Sequence, residues 1–415
     1  PLRDGGGPSS VGRYRCCNRW QTKLGPVGNA FKARCKELRL GPHLKRAYEK
    51  AKESETRALT DSPFSKGQLR ELLQCLAGEA GCKDTSIPVG QPFRLELLHR
   101  LARKGQDLDA ELPRTLWVEQ GADLGVEEVL TVPQGVCALK DEEEEEPDGF
   151  TVVDNYGSAI QHSAFLLKQY EEEAKEGMVL LFDTAEEAAR HAGCRVEDLV
   201  WGALGVVDES TVDKPDKFRI VHDGTKSGPN VHIAGHIGVR GQCPRTHDLA
   251  HAIEVERSSN PKAMIGLCVI DAKMAHKRIR IKRKDWRYQA ARFQMPTGHW
   301  KFVLNLTGTY GMGSAQFWWG RLMPLIQRIA LHMGLARWML LYVDDLLALF
   351  NFLCMEQLWE QAAELLSYLL VIGFPVSWKK FIVGLQAAWI GHAVCLESMT
   401  VQPTPGQAGQ MPQLF

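Results

Sequence analysis

Apolar positions recur at two different periods along this 415-residue chain, and the change from one to the other divides it. Between Ser62 and Ala80, Leu69, Leu72, Leu73 and Leu76 fall on one face at helical spacing, with Ser65 where an N-cap would stand. FRLELLHRLARKG repeats that pattern and stops at Gly105. SAFLLKQYEEEAKEG predicts a helix closed by Gly177, MVLLF a short strand, and TAEEAARHAG a further helix. Around Ala30 to Thr60 a helical stretch contains HLKRAYEKAKESETRAL, charged nearly all round, which predicts a solvated arm or a tail that touches phosphate. From Thr211 onward strands and helices alternate with tight glycine turns. Gly266 to Ile270, WMLLY and LLALF read as buried strands. Phe317, Leu322, Leu325, Ile326, Ile329 and Met333 form the stripe of a long helix, with Gly334 as its stop.

Composition narrows the class. A hydrophobic fraction of 44% and a charged fraction of 24% are ordinary for a soluble globular protein, and 50 basic residues cancel 50 acidic ones. Distribution says more, since residues 1–62 carry 14 Lys/Arg against 6 Asp/Glu. Eleven cysteines without a CxxC pair argue against a zinc module and a secreted disulfide framework. No 18-residue apolar run and no signal-peptide core are present, so the expectation is an intracellular protein, cytoplasmic or nuclear, that engages no membrane. The chain begins at Pro1 rather than Met, as a fragment would. Six consecutive acids in KDEEEEEPDG read as a linker or exposed loop. The expected organisation is a basic, partly disordered arm (1–62), a small helical module (63–140), an acidic linker (141–149), an α/β lead-in (150–210), a catalytic region (211–394) and a disordered tail (395–415).

RWMLLYVDDLLALF poses the chemical question. Asp344 and Asp345 are adjacent inside an apolar run, where an unpaired carboxylate is costly and two repel each other. A hairpin turn over Tyr342–Asp345 places both acids at the tip of two strands. An ordinary polar turn would more often show Asn-Gly or Asp-Gly. Asp271 ends the strand of GLCVIDAKMAHKRIRI, 73 residues earlier; alone it would be a cap or turn residue. Such a carboxylate cluster suits Mg²⁺, a hard cation that prefers oxygen ligands. Nine Lys/Arg between Lys273 and Arg292, with Trp286 and Tyr288 among them, predict either a solvated face or contact with phosphates.

The order of strand–Asp271, glycine-containing turn and helix, then Tyr342-Val343-Asp344-Asp345 resembles the palm domain of reverse transcriptases, over about residues 211–394. KFRIVHDGTK is similar to the fingers strand, GTYGMGSAQFWWGRLMPLIQRIALHMG to the family's turn and long helix, GFPVSWKKF to the lysine-bearing segment, and AAWIGHAV to the primer-grip hairpin. RIVHDGTK and DWRYQ look most like non-retroviral retroelements, those of the tyrosine-recombinase type in particular. The resemblance implies an α+β right hand: an antiparallel palm sheet with packed helices and fingers, preceded by a small helical region. It implies RNA-directed DNA polymerase activity on an RNA or DNA template with primer and deoxynucleoside triphosphates. Asp271, Asp344 and Asp345 would hold two Mg²⁺ ions, with Mn²⁺ an alternative, and Lys379 or Lys380 would protonate pyrophosphate. Lys217 and Arg219 would meet the triphosphate and nucleotide, His276 would exclude a ribose 2′-hydroxyl, and Gly311 and Ser314 would let the backbone approach the template–nucleotide pair. Trp389 and Gly391 would belong to the primer grip.

Departures from the family pattern are Tyr310 in place of glutamine and Gly224-Thr225 in place of an aromatic and a second arginine. A helical thumb normally follows the primer grip. The 24 residues after Gly391 are rich in Pro, Gly and Gln, so the thumb is expected to be absent or truncated, with no room for an RNase H domain and distributive synthesis as the result. Two alternatives stay open: a decayed or domesticated retroelement product that only binds nucleic acid, and an RNA-templated RNA polymerase, whose hairpin more typically reads Gly-Asp-Asp.

Overall fold

The computed structural model describes residues 23–118, 121–134, 138–139, 149–210, 217–240 and 243–404. Its first part holds helices α1 (Gly25–Glu37), α2 (Leu40–Glu53), α3 (Lys66–Ala80), α4 (Leu95–Gly105) and α5 (Leu112–Val118), then a two-residue strand β1 (Ala138–Leu139). There follow α6 (Gly157–Gln161), α7 (Ser163–Lys175), β2 (Val179–Phe182), α8 (Ala185–Ala192), β3 (Trp201–Asp208), β4 (Phe218–Asp223), α9 (Pro229–His236) and β5 (Val239–Arg240). The last part runs α10 (Thr246–Ser259), β6 (Met264–Asp271), β7 (Ala290–Gln294), β8 (Trp300–Asn305), α11 (Gly313–His332), β9 (Trp338–Tyr342), β10 (Asp345–Phe352) and α12 (Met355–Val371). It ends with β11 (Ile382–Gly384), β12 (Gln386–Trp389), β13 (His392–Cys395) and β14 (Thr400–Pro403). The chain is thus a mixed α+β fold with antiparallel and mixed sheets.

The four-stranded sheet has the order β11-β6-β10-β9, antiparallel throughout. Its strands are apolar at successive positions because both faces are covered. Cys268, Ile270, Leu346, Ala348 and Phe350 face the helices α11 and α12. The alternate residues Ile265, Leu267, Val269, Leu347 and Leu349 face α10 and the small sheet β12-β13-β14. A strand alternates its side chains between faces, so two apolar layers demand an unbroken apolar run. Full burial of one such leucine contributes about 1.5–3 kcal/mol. The five-stranded mixed sheet β2-β8-β7-β3-β4 lies beside it and packs against α6 and α7 through Leu166, Tyr170, Leu204, Val206 and Phe293.

Several helix ends follow the sequence. Ser65 accepts the Gln68 N–H while the Gln68 side chain caps Ser65 in return, and Gly177 and Gly334 take positive φ at helix ends. At the end of α4, by contrast, Gln106 rather than Gly105 adopts the left-handed conformation.

Three expectations are corrected. Residues 25–53 are not a solvated arm: Leu24, Val27, Phe31, Leu40, Leu44 and Tyr48 are buried in the same core as α11 and α12. Gly28 makes that possible, since a Cβ there would stand 1.9 Å from the Met333 carbonyl oxygen. Nor does 63–140 form a core of its own. Arg321 on α11 donates to both oxygens of buried Asp109, at 3.1 and 2.7 Å, and Arg328 does the same to Asp107, at 2.6 and 2.9 Å. Residues 400–403, read as tail, pair with β13 as the edge strand β14. The acidic run 141–148, residues 1–22 and residues 405–415 lie outside the described residues. Among the described residues no helix is long and apolar enough to cross a membrane.

Candidate active site

Hydrogen-bond register builds the site. Asp345 is paired with Asp271 across the β6–β10 ladder and with Tyr342 across the hairpin. Val343 and Asp344 are therefore the two turn residues. Val343 carries a φ of 53°, a left-handed conformation that a β-branched residue rarely takes. Two anchors hold the turn: the Val343 carbonyl accepts the Trp319 indole N–H at 2.8 Å, and the Asp344 carbonyl accepts the Ala272 N–H at 3.1 Å. The Asp271 carbonyl in turn accepts the Ser377 N–H at 2.8 Å, which brings the 3-10 turn Trp378–Lys380 beside the carboxylates.

One oxygen from each of Asp271, Asp344 and Asp345 lies within 4.8 Å of the others. Asp271 is buried and the other two are half-buried, so the site is deeper than an exposed hairpin tip. Burial first, and the Asp271 charge second, raise the Asp344 carboxyl above its ordinary value. Burial, then Asp344 and Asp271, push Asp345 up to about 6. Lys380 donates to Asp271. Burial works against its ammonium, but Asp271, Asp345 and Asp344 together hold it above the usual lysine range. Lys379 is exposed and makes no ion pair with the three acids. Three carboxylates against one contacting ammonium leave an excess of negative charge. The donor set, all hard oxygens held close by two ladders, fits a divalent cation such as Mg²⁺ or Mn²⁺.

Beside the trio, the His276 ring lies tilted against Tyr310 with ring centroids 5.3 Å apart, and the Arg219 guanidinium lies 5.6 Å from the Tyr310 ring centre. Burial, then Arg219, lowers His276, so its imidazole is neutral at pH 7. Lys217 and Arg219 both contact Glu209, at 2.6 and 2.7 Å. Gly311, with φ 103°, answers to an internal need, because a Cβ would stand 2.0 Å from the His222 carbonyl oxygen. Ser314 is wholly buried in the first turn of α11 and faces no open space. Trp389 is also buried, packed on the inner face of β12 among Val394, Leu396 and Leu249, so its ring is core rather than a surface for a primer. Gly391 (φ 76°) and Ile390 (φ 41°) form the two-residue turn of that hairpin.

The basic run makes many contacts within the protein. Lys273 and Arg278 pair with Glu176 at 3.3 and 2.9 Å, Lys277 with Glu173 at 2.5 Å, Lys282 with Asp123 at 2.8 Å, and Arg287 with Glu127 at 2.5 Å. Lys284 contacts Glu128, Arg283 donates to the His191 carbonyl at 2.8 Å, and Arg280 and Arg292 lie over tryptophan rings. Trp286 and Tyr288 are buried. Each of the nine has a partner within the protein, and Lys273, Arg283 and Lys284 are exposed as well.

Sequence reasoning missed Glu209, Asn230 and the packing of Tyr310 against His276. Asn230 accepts the Gly313 N–H at 3.0 Å and donates to the Gly311 carbonyl at 2.6 Å, clamping the turn that leads into α11. Gly224, where the family has an aromatic, lies against Met312: a Cβ there would be 2.3 Å from its sulfur. For Glu209 no local signal exists.

No protein-family model matches the chain, and no curated protein matches it. Among solved structures, the chain is similar to the foamy viral protease–reverse transcriptase determined in complex with double-stranded DNA, at 12% identity and a TM-score of 0.41. The match covers 74% of this chain and 45% of that one, so the chain spans less than half the length of that structure.

Proposed function

We propose that the chain is a template-directed nucleotidyl transferase, the palm and fingers of an RNA-directed DNA polymerase from a non-retroviral retroelement. The observation that carries this reading is the convergence of Asp271, Asp344 and Asp345 within 4.8 Å at the end of paired strands. The sequence context of Tyr342–Asp345 and the order of the surrounding motifs support it. Asp271, Asp344 and Asp345 would hold Mg²⁺ or Mn²⁺; such an ion, when bound, lowers the pKa of an attacking hydroxyl and neutralises phosphoryl charge.

The chain's own residues would do the rest. The trio's open side is where a primer 3′-hydroxyl and an α-phosphate would meet. Lys380 Nζ, held by Asp271, would be the proton donor for leaving pyrophosphate. Lys217 and Arg219 on the β3–β4 side would take the triphosphate. The Tyr310–His276 pair would form the floor on the sugar side, with neutral His276 presenting bulk rather than charge.

Primer extension tests the reading: RNA- and DNA-templated primers, deoxy- and ribonucleotides, with and without Mg²⁺. Metal-dependent incorporation of deoxynucleotides on an RNA template is expected. Ribonucleotide incorporation alone would move the chain to an RNA-templated RNA polymerase, and nucleic-acid binding without extension to a non-catalytic retroelement product.

A further inference from the structure

Glu209 follows strand β3 directly, and its position is fixed by backbone geometry. Its N–H donates to the Lys217 carbonyl at 2.7 Å, and the Ser210 N–H bonds the Asp208 side chain at 2.8 Å. From there its two carboxylate oxygens are divided between two cations: Oε2 to Lys217 Nζ at 2.6 Å and Oε1 to an Arg219 terminal nitrogen at 2.7 Å. The carboxylate is the less exposed partner, at 22% against 53% and 51% for the cations. The bond to Lys217 holds its carboxyl below the ordinary value, and Arg219 and Lys380 add to that. Lys380 is the same ammonium that donates to Asp271. One glutamate thus holds both cations of the β3–β4 hairpin.

Within the nucleotidyl-transfer reading, on which this inference rests, we propose that Glu209 is an internal occupant of the triphosphate site. Its carboxylate saturates Lys217 and Arg219 in the free protein, and a nucleoside triphosphate binds only by displacing it. An anion with several oxygens offers both cations what one carboxylate offers, and more charge. The same exchange discriminates against ligands with too little charge to win it. Exposed ion pairs are weak, so a triphosphate overcomes the competition, while a monophosphate gains less from the exchange.

Equilibrium binding of a fluorescent deoxynucleoside triphosphate, without primer or template, tests this apart from turnover. Glu209→Gln is expected to tighten binding about three- to tenfold, to do the same for inorganic tripolyphosphate, and to narrow the gap between triphosphate and monophosphate. In the Lys217→Met background the gain from Glu209→Gln should shrink. Unchanged affinity in Glu209→Gln overturns the inference, while primer extension by the wild type leaves the nucleotidyl-transfer reading standing. Weaker binding overturns it too, by showing that Glu209 positions the cations for substrate. If neither protein binds a triphosphate and the wild type extends no primer, both readings fall.

Discussion

Among the described residues, two groups of three carboxylates bring ligand atoms within 4.8 Å of one another: Asp271, Asp344 and Asp345 in one, Asp123, Glu128 and Asp285 in the other. Both contain an acid pushed up to about 6, Asp345 in the first and Asp285 in the second, and in both the largest cause is burial. The difference lies in what stands beside them. In the second trio Lys282 and Lys284 reach Asp123, Lys284 also reaches Glu128, and Asp285 Oδ2 accepts the Leu124 N–H at 2.8 Å. Two ammonium groups against three carboxylates nearly neutralise it, and it ties the segment around Leu124 to the turn before β7. The first trio, like the second, has one buried and two half-buried acids, but one contacting lysine. Proximity and partial burial of acids are therefore common to glue and to the proposed cation site; surplus charge is not.

Substitution should separate the two most sharply through activity. Asp344→Asn or Asp271→Asn removes a charge of the proposed cation site, and loss of even an outer partner of a metal costs about 10–100-fold. Metal-dependent extension should fall by at least about 10²-fold, while in Asp344→Asn the melting temperature holds or rises because a repelling charge is gone. Retained extension would sink the assignment.

Next in size is stability. Asp285→Ala strips the Leu124 N–H of its acceptor and removes a buried charge partner of Lys284, at a cost of about 1–3 kcal/mol. Urea melts should register that loss, and magnesium titrations should not. Asp285→Asn keeps an acceptor and should cost less. A changed magnesium affinity in either variant would make the second trio more than glue.

The two trios also show how far the sequence was legible. Asp344 and Asp345 stood out because both effects are local: an apolar run is a buried strand, and charge within it needs a reason. Asp271 took its meaning from order along the chain. The second trio joins acids and lysines about 160 positions apart, as in the Lys282–Asp123 pair, and no local pattern signals that. The same holds for the basic run, whose partners Glu173 and Glu176 lie on or just after α7. In α2 the apolar stripe is only Leu40, Leu44 and Tyr48, so a helix that reads as charged all round still packs. Gly41 lets it approach α12 closely, with a Cβ there 3.0 Å from the Glu360 backbone.

Proton competition should sharpen the comparison further. A folded-state pKa raised to about 6 means that the folded protein binds more protons than the unfolded chain between about pH 4 and 6. Stability from Asp345 and Asp285 is thus fully present below pH 4 and declines as pH rises through 6. Cation binding runs the other way, since the ligands must be deprotonated. Apparent magnesium affinity should climb with pH up to about 6, by at most about tenfold per unit for one displaced proton, and then flatten. Trp319, hydrogen-bonded to the hairpin at Val343, offers an intrinsic fluorescence readout. In Asp345→Asn the inflection near 6 should disappear; in Asp285→Asn it should stay.

The smallest effect concerns the turn itself. Val343 holds a left-handed φ that costs an L-residue roughly 1–2 kcal/mol, and glycine would remove that strain. Glycine also gives the unfolded chain more freedom, worth about 0.5–1 kcal/mol in the opposite direction. Val343→Gly should therefore leave stability within about 1 kcal/mol of the wild type. Its effect on cation binding tells what the strain is for. Trp319 and Ala272 hold the peptides on either side of Asp344. If those two hydrogen bonds suffice to place the carboxylate, magnesium affinity in Val343→Gly will match the wild type. A loss of affinity without loss of stability would mean that the valine, wedged in a conformation it disfavours, keeps Asp344 turned toward Asp271. The second trio has no such turn, and an equivalent loosening there should be silent toward magnesium.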